Sequence, residues 1–356
     1  RLLAGVEAVV GRGAQLTMVQ DFTFRSLLSD ECGTWDTVRT PNAAGPLKSM
    51  PAQHGLASVA SSQPDILLRA PTGTGKTLAF LLPMLQRLLA RQQDSALNPG
   101  VTVLVLAPTR ELVLQLSRVT HALLQHAGST VRSSFVAGGF ALKEDVARLQ
   151  ADKPHVLIGT PGRLAQHLQQ TPNFVRALDS VELFVLDEAD RLLDPTFVYQ
   201  TDYVNHCLPS QPRPQTILCS ATFSDPVRRF VVRSMRASFK TIDVTTEVAA
   251  PAGLELGWQG PSEVAGMVSQ VLLRYEPRQF TSVLLATLAR ELHDPTGQPR
   301  RVLVLFPTVR WLQFFYALLK HHLGVPGLYA LHSQLANDRR RSRAALFSRG
   351  APSTVR

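Results

Sequence analysis

The chain has 356 residues, and this length exceeds what one hydrophobic core usually organises, so we expect two domains. Hydrophobic residues make up 45% and charged residues 18% of it, a composition that excludes a wholly disordered chain. The formal net charge of +10 indicates a polyanionic partner such as nucleic acid, although a basic balance also occurs in proteins of organelles and acidic membrane surroundings.

The three cysteines, Cys32, Cys207 and Cys219, are far apart and form no C-x-x-C pair. This spacing predicts neither a disulfide framework nor a zinc site, and a reducing compartment fits it best. No apolar run approaches the ~20 residues of a transmembrane helix, so we expect an intracellular protein without a membrane span, in the nucleus, nucleolus, cytoplasm or an organelle. The chain begins with Arg1 rather than Met, and we therefore expect the natural N-terminus to lie outside this sequence.

Short aliphatic runs alternate with longer amphipathic stretches in the first two thirds of the chain. This pattern is typical of an α/β fold, with a mainly parallel sheet flanked by helices. We predict strands over residues 66–70, 101–107, 133–137, 155–159, 183–186 and 216–220, and helices that include residues 76–90, 111–126 and 226–236.

A second α/β series follows a stretch of small residues at 245–253, which is typical of a linker. In this series we predict strands over residues 267–273, 301–306 and 328–331 and helices over residues 280–292 and 309–322. The series stops before its sheet could close. The predicted organisation is an N-terminal extension at 1–48, a first domain at 49–244, a linker at 245–262 and a truncated second domain at 263–356.

A glycine-rich segment lies between the first predicted strand and the helix that follows it. In such a loop, backbone N–H groups wrap phosphates at a helix N-terminus, where partial positive charge favours anions. Lys76 would reach the β- and γ-phosphates of ATP, and the Thr77 hydroxyl would bind Mg²⁺. A plain glycine-rich turn is the alternative, and the strand–loop–helix setting favours nucleotide binding. The segment reads Ala70, Pro71, Thr72, Gly73, Thr74, Gly75, Lys76 and Thr77, with Ala70 where a glycine is usual.

An acidic tetrad, Asp187-Glu188-Ala189-Asp190, follows the strand predicted at 183–186. Ligands of a doubly wound sheet bind at this end of the strands. Asp187 would hold Mg²⁺ through water, and Glu188 would orient or deprotonate the water that attacks the γ-phosphate. Alone, such a cluster is more often a charged helix N-terminus. Together with the glycine-rich loop upstream, it predicts an ATPase site.

Five motifs in a fixed order resemble those of the DEAD-box RNA helicases of superfamily 2. They are the loop that begins at Ala70, P-T-R-E-L from Pro108, T-P-G-R from Thr160, D-E-A-D from Asp187 and S-A-T from Ser220. The resemblance implies two RecA-like domains, ATP and Mg²⁺ as cofactors, and RNA-stimulated ATP hydrolysis coupled to local duplex unwinding or remodelling. It also implies a monomer that contacts the RNA backbone with little sequence preference and that has ribonucleoprotein partners.

The resemblance assigns roles to matched residues. Ser220 and Thr222 couple ATP hydrolysis to RNA binding, and their local pattern alone would be a strand end with a helix cap. The T-P-G-R turn alone would be a strand-to-helix turn with proline at the first helical position. The positions that grip the RNA backbone are Pro108, Thr109, Arg110, Gly138, Gly139, Thr160, Gly162 and Arg163.

The segment Met50-Pro51-Ala52-Gln53 resembles the adenine-reading Q motif of the family. The Gln53 amide would offer both a donor and an acceptor to the adenine edge. Phe22 or Phe24 would stack on the adenine, although either is as compatible with a core position.

The second domain carries weaker resemblances. Residues 302–308 resemble motif IV, and Asn337 stands where a glutamine is usual, three positions before Arg340. The basic run at 339–343 would contact RNA phosphates or form a solvated helix face. The family's motifs V and VI do not occur before Arg356, so we expect a C-terminally incomplete chain that binds Mg²⁺-ATP weakly and unwinds little. An ATP-gated RNA clamp or chaperone, and an inactive RNA-binding fragment, are the alternatives.

Overall fold

The computed structural model describes residues 63–71, 74–93, 100–244, 271–292 and 301–349, together with Thr17, Gln20, Thr23 and Leu27. The chain divides into two compact units, Arg1–Ser269 and Gln270–Arg356. The predicted linker stretch at 245–253 and the start of the strand predicted at 267–273 lie outside the described residues.

The first unit is built on a seven-stranded sheet in which all neighbouring strands are parallel. The strand order is β3-β4-β2-β5-β6-β1-β7, which confirms the predicted parallel α/β class. The strands are β1 (Ile66–Arg69), β2 (Val103–Leu106), β3 (Ser133–Val136), β4 (Val156–Gly159), β5 (Leu183–Leu186), β6 (Gln215–Ser220) and β7 (Lys240–Asp243).

The first six strands confirm the predicted ones to within two residues at each end, whereas β7 was not predicted. Its sequence, Lys-Thr-Ile-Asp, contains one aliphatic residue, and only that residue, Ile242, is buried. An edge strand of this kind has no hydrophobic pattern from which it could be recognised. It is held in the sheet by parallel pairing with β1.

Helices cover both faces of this sheet. Among the helices of the described residues, none is long and apolar enough to cross a membrane. Within residues 63–244, the helices of the first unit are α1 (Lys76–Gln93), α2 (Arg110–His126), α3 (Leu142–Asp152), α4 (Pro161–Gln170), α5 (Phe174–Ala177), α6 (Ala189–Leu192), α7 (Val198–His206) and α8 (Asp225–Ser234).

The two faces of the sheet bury two separate cores because side chains alternate along each strand. In β1, Ile66 and Leu68 belong to the core that contains α1 and α2. Leu67 between them belongs to the core that contains residues of α4 to α8. The first unit is therefore a three-layer α/β/α structure with a buried sheet in the middle.

A buried carboxylate anchors the amino ends of the central strands. Asp65, just before β1, is fully buried and accepts hydrogen bonds from the backbone N–H groups of Thr216 at 2.7 Å and Arg236 at 2.6 Å. The Arg236 guanidinium also donates to it at 2.5 Å. These bonds join β1, β6 and the segment after α8, and so fix the strands whose opposite ends carry the glycine-rich and S-A-T motifs.

The second unit contains helices α9 (Phe280–Leu292), α10 (Val309–Ala317) and α11 (Asn337–Arg349) among its described residues. A π-helical turn, Leu318–His322, extends α10, so the two predicted helices are confirmed. The strands predicted at 301–306 and 328–331 are wrong, because no strand occurs within 271–292 and 301–349. Residues 301–306 alternate between exposed and half-buried, with Leu303 69% and Leu305 84% exposed. A strand exists only where a neighbour pairs its N–H and C=O groups, and an aliphatic run cannot supply that neighbour.

An aromatic cluster holds the second unit together. Phe306 stacks on Phe315 with ring centroids 5.1 Å apart, and Phe280 lies 5.5 Å from the same ring. Trp311 lies 5.1 Å from Phe280. Phe315, at 4% exposure, is the centre of this cluster.

Candidate functional site

All five sequence motifs lie at one edge of the sheet in the first unit. The strands are parallel, so their carboxyl ends lie together, and each motif follows or ends a strand. Ligands of open parallel sheets bind at this edge, outside the carboxyl ends of the strands. The edge is therefore the candidate functional site.

The glycine-rich loop after β1 is folded back on itself at the start of α1. Lys76, the first residue of α1, is 9% exposed, and its ammonium donates to the Ala70 carbonyl at 2.5 Å. Thr77 follows in the first turn and is half-buried. A lysine and a hydroxyl at a helix N-terminus form the arrangement that binds phosphate groups.

Two residues far upstream contact this loop. The Thr17 hydroxyl donates to the Thr74 carbonyl at 3.0 Å, and the Gln20 amide donates to the Gly75 carbonyl at 3.3 Å. Thr17 and Gln20 also bond to each other, since the Thr17 N–H donates to Gln20 Oε1 at 2.9 Å. Gly75 has φ of +88°, and a Cβ at this position would lie 2.4 Å from Gln20 Nε2. The contact therefore requires glycine at position 75.

The acidic tetrad places two carboxylates at the end of β5. Asp187 is 3% exposed. Its burial, together with the neighbouring charge of Glu188, raises the pKa of its carboxyl group to about 6, although the positive charge of Lys76 acts to lower it. The Glu188 N–H donates to Asp187 Oδ1 at 3.1 Å. Glu188 has φ of +53°, a left-handed conformation that costs a non-glycine residue roughly 1 kcal/mol. Such strain clusters at functional sites.

The end of β6 is joined to the acidic tetrad. The Ser220 hydroxyl donates to the Thr222 carbonyl at 2.7 Å, and the Thr222 N–H donates to Ser220 Oγ at 3.3 Å. The Thr222 hydroxyl donates to Asp190 Oδ2 at 3.1 Å. The carbonyl of Ser220 accepts from the Ala70 N–H at 3.1 Å, at the start of the glycine-rich loop. The S-A-T turn therefore contacts both the acidic tetrad and the glycine-rich loop.

The residues predicted to grip RNA meet in a cavity of about 410 Å³ at the ends of β2, β3 and β4. We call it the groove. Six of the eight predicted residues line it, and Gln166 and Phe197 complete the lining. The predicted six are Pro108, Arg110, Gly138, Thr160, Gly162 and Arg163.

The other two predicted residues flank the groove. Thr109 caps α2, and its hydroxyl accepts from the Leu112 N–H at 3.2 Å. Gly139 is exposed and has φ of +87°, next to Gly138 in the turn after β3. Beside this turn, the guanidinium carbon of Arg110 lies 4.4 Å from the centre of the Phe140 ring.

Arg163 is buried in the wall of the groove, at 8% exposure. Its guanidinium donates from Nε to Asp145 Oδ2 at 2.6 Å, from Nη1 to Gln166 Oε1 at 2.9 Å and from Nη2 to the Phe140 carbonyl at 2.8 Å. Arg163 is thus fixed in the protein by three different partners while one side of it lines the cavity.

A family model described as DEAD/DEAH box helicase matches residues 50–230, about half of the chain. The chain belongs to the DEAD/DEAH box helicase family. This range contains the glycine-rich loop, the acidic tetrad and all residues that line the groove.

Curated members of the helicase family are similar to much of the chain. "DEAD-box ATP-dependent RNA helicase 25" of Oryza sativa subsp. japonica is 36% identical over 211 residues, 59% of this chain and 33% of that protein. "ATP-dependent RNA helicase mss116, mitochondrial" of Aspergillus fumigatus is 31% identical over 310 residues, 82% of this chain and 45% of that protein. The chain thus spans less than half the length of these helicases.

The solved structure "DEAD-box helicase Mss116 bound to ssRNA and UDP-BeF" has the same fold. It matches with a TM-score of 0.68 at 22% identity, over 96% of this chain and 60% of that chain. This similarity confirms the RecA-like architecture predicted from the helicase motifs.

Three predicted helicase site residues, Gln53, Thr72 and Gly73, lie outside the described residues. The sequence analysis missed Gln20, Gln166 and Phe197. Gln20 had a signal in its spacing of three from Thr17, the spacing of a capping box, in which the two residues bond to each other. Gln166 and Phe197 had none, because a surface glutamine and a single phenylalanine outside any motif carry no pattern.

Proposed function

We propose that the protein is an ATP-dependent RNA helicase, in which RNA-stimulated ATP hydrolysis drives local unwinding of RNA duplexes or remodelling of ribonucleoprotein. The observation that carries this proposal is the division of one sheet edge into two halves. The groove lies at β3, β4 and β2, and the glycine-rich and acidic motifs lie at β5, β6 and β1. Because β2 and β5 are neighbours, the two halves are contiguous.

The residues of the β5-β6-β1 half fit Mg²⁺-ATP. Lys76 and the backbone N–H groups of the loop supply positive charge for phosphates. Burial and the charge of Glu188 raise the pKa of the Asp187 carboxyl group, and a divalent cation beside it would favour its charged form. Thr77 and Asp187 would hold Mg²⁺, which when bound neutralises charge on the β- and γ-phosphates.

Hydrolysis requires a group that positions water. Glu188 is adjacent to Asp187 and held in a left-handed conformation at the strand end. There it would accept a proton from, or orient, the water that attacks the γ-phosphate. Lys76 would stabilise the charge that develops on the phosphate oxygens.

The β3-β4-β2 half would hold single-stranded RNA by its backbone. Arg110 supplies a positive charge, Gly138 and Gly162 are exposed and leave their N–H groups accessible, and Thr160 supplies a hydroxyl. Such contacts bind phosphate and sugar without reading bases. Little sequence preference follows. We also propose that the protein acts as a monomer with ribonucleoprotein partners.

The S-A-T turn would couple the two activities. Thr222 bonds to Asp190 of the acidic tetrad, and Ser220 bonds to the loop backbone, so a displacement of one motif is transmitted to the other. We propose that closure around RNA brings Glu188 into its hydrolytic position through these bonds.

We also propose that Gln20 contributes to the nucleotide site. Its amide already contacts the Gly75 carbonyl, and it is the glutamine that the described part of the chain places on the loop. Gln53, which the resemblance to the Q motif assigns to the adenine edge, is the second candidate for a glutamine in the nucleotide site.

The experiment that tests the proposed function uses the full-length protein and the variant Glu188→Gln. We expect the variant to bind a fluorescent ATP analogue as the unchanged protein does and to hydrolyse ATP at least about 100-fold more slowly, because it lacks the general base. Glu144→Gln, an exposed position of α3, is the matched control and should leave turnover unchanged. A Glu188→Gln variant that still hydrolyses ATP would overturn the assignment.

The same preparation separates unwinding from clamping. Release of a short RNA duplex that depends on ATP supports the helicase. Persistence on single-stranded RNA with a non-hydrolysable ATP analogue, without duplex release, would instead support the ATP-gated clamp. That these 356 residues alone bind Mg²⁺-ATP weakly and turn it over slowly stays a prediction.

A further inference from the structure

A buried carboxylate stands behind the groove. Asp145 of α3 has no exposed surface and accepts hydrogen bonds from Arg163 Nε at 2.6 Å and from Arg148. His167 Nε2 lies 3.3 Å from the same carboxylate. None of the five motifs contains Asp145.

The charges of this cluster do not cancel. Asp145 faces two arginines, and His167 adds no positive charge near neutral pH because burial lowers its pKa below the ordinary value despite the nearby carboxylate. One positive charge therefore remains in the wall of the groove. Asp145 offsets the charge of one arginine only, so the wall stays attractive to a polyanion.

Both arginines hold the turn that carries Gly138. Arg163 donates to the Phe140 carbonyl at 2.8 Å, and Arg148 donates to the Phe135 carbonyl at 3.0 Å. The Arg148 guanidinium also lies over the Phe135 and Phe140 rings, at 4.3 Å and 5.5 Å from their centres. The two carbonyls stand on either side of Gly138, so the arginines clamp the turn at both ends.

Phe140 also contacts a residue that lines the groove. Arg110 lies 4.4 Å from the centre of its ring and lines the groove itself. A chain of contacts thus runs from Asp145 through Arg163 and Phe140 to Arg110.

We propose that Asp145 is a positioning residue for RNA binding, which holds Arg163 and the Gly138 turn in the geometry that accepts the RNA backbone without itself touching RNA. This inference rests on the proposed function of the groove. It assigns to α3 a role in RNA affinity that is independent of the ATP site.

A simple charge argument gives the opposite expectation. Replacing Asp145 by the isosteric asparagine removes a negative charge beside a polyanion site, which by charge alone strengthens RNA binding. If Asp145 positions the groove, the same substitution weakens RNA binding because Arg163 and Arg148 lose the carboxylate that orients them. The sign of the change therefore separates the two explanations.

A conservative variant keeps the carboxylate. Asp145→Glu retains the negative charge that Arg163 Nε contacts, and it changes no residue that lines the groove. It therefore tests whether the guanidinium needs a carboxylate at this position.

The test measures binding of a short fluorescent oligouridine and of N-methylanthraniloyl-ATP to the full-length protein with Mg²⁺. For Asp145→Asn we expect RNA affinity to fall about tenfold, the effect of one charge-assisted hydrogen bond, with ATP affinity unchanged. Asp145→Glu should bind RNA more tightly than Asp145→Asn. Asp152→Asn, at the end of the same helix, makes the same charge change and should not weaken RNA binding.

Unchanged or tighter RNA binding by Asp145→Asn would overturn the proposal. So would a joint loss of RNA and ATP binding, since that result identifies a fold anchor. An unchanged protein that fails to bind the oligouridine at all contradicts the proposed function instead, before any variant is compared.

Discussion

The Thr222 hydroxyl donates a hydrogen bond of 3.1 Å to Asp190 Oδ2, and so joins the end of β6 to the acidic tetrad after β5. These strands are neighbours in the sheet, and the bond crosses between their loops at the carboxyl edge. The bond is a direct contact between the S-A-T turn and the acidic tetrad.

Replacing Thr222 by valine keeps the shape of the side chain and removes this hydroxyl. We expect RNA stimulation of ATP turnover to fall about tenfold while ATP affinity in the absence of RNA stays unchanged, because only the coupling bond is lost. Steady-state ATPase assays with and without RNA measure both quantities. Thr241→Val, at an exposed position of β7, is the control, and equal stimulation in both variants would contradict the coupling role.

The two glutamine candidates can be separated by a matched pair of variants. Gln20→Ala removes the amide that bonds to the Gly75 carbonyl, so we expect ATP affinity to fall by about fivefold to tenfold. Gln53→Ala should leave it unchanged if Gln20 is the glutamine of the site. Titration with a fluorescent ATP analogue measures the change, and the reverse result would return the role to Gln53.

The two halves of the sheet edge predict independent losses of binding. Lys76→Ala should abolish ATP binding and leave nucleotide-free RNA binding unchanged, since Lys76 lies in the β1 half. Arg110→Ala should weaken RNA binding about tenfold and leave ATP binding unchanged. Arg118→Ala removes the same charge from an exposed position of α2 and should do neither. If either variant lost both ATP binding and RNA binding, the proposed division of the sheet edge into a nucleotide half and an RNA half would be contradicted.

The buried anchor at the amino ends of the strands predicts a large loss of stability. Asp65→Ala removes the carboxylate that neutralises the Arg236 guanidinium and the acceptor of two backbone N–H groups, so we expect the free energy of unfolding to fall by about 3 kcal/mol. Asp243→Asn affects a more exposed ion pair with Arg69 and should cost at most about 1 kcal/mol. Urea denaturation of both variants checks the difference.

A buried histidine predicts a loss of stability in acid. His155 Nδ1 accepts a hydrogen bond from the Arg132 N–H at 3.1 Å, and burial, followed by the charge of Arg132, lowers the pKa of its imidazole. The unfolded chain keeps the ordinary value of 6.5 and therefore binds the proton first as pH falls. Stability should be constant with respect to this group above about pH 6.5 and should fall below it.

The variant His155→Asn tests this dependence. Its amide oxygen can accept the Arg132 N–H and does not titrate, so the loss of stability between pH 7 and pH 5 should be smaller than in the unchanged protein. Some loss should remain, because burial also lowers the pKa of His167. Denaturation at several pH values measures it, and an unchanged pH dependence would refute the assignment to His155.

Much of the first unit could be predicted from its sequence. Strands β1, β2, β4 and β5 have continuous apolar runs of three or four residues, because both faces of a parallel sheet are buried, and a motif follows each of them. The edge strand β7 could not be recognised in this way, since its exposed positions carry polar residues. In the second unit, aliphatic runs at 301–306 and 328–331 suggested strands that the described residues do not form.

The groove shows where residue-by-residue prediction stops. The motifs identified Arg163, yet nothing in the T-P-G-R pattern indicates that its side chain is buried against Asp145 of another helix. Likewise, Phe197 comes from beyond the acidic tetrad and lines the groove through packing alone.

The glycine-rich loop, the acidic tetrad and the strand that precedes each motif were determined by the sequence alone, because apolar runs and motif spacing are local properties of the chain. The tertiary structure decided the strand order that puts β1, β6 and β5 side by side and sets the groove next to them. It also decided that Gln20 reaches the loop and that Asp145 stands behind Arg163. These relationships depend on contacts between residues far apart in sequence, which form only when separate elements pack on the same sheet edge.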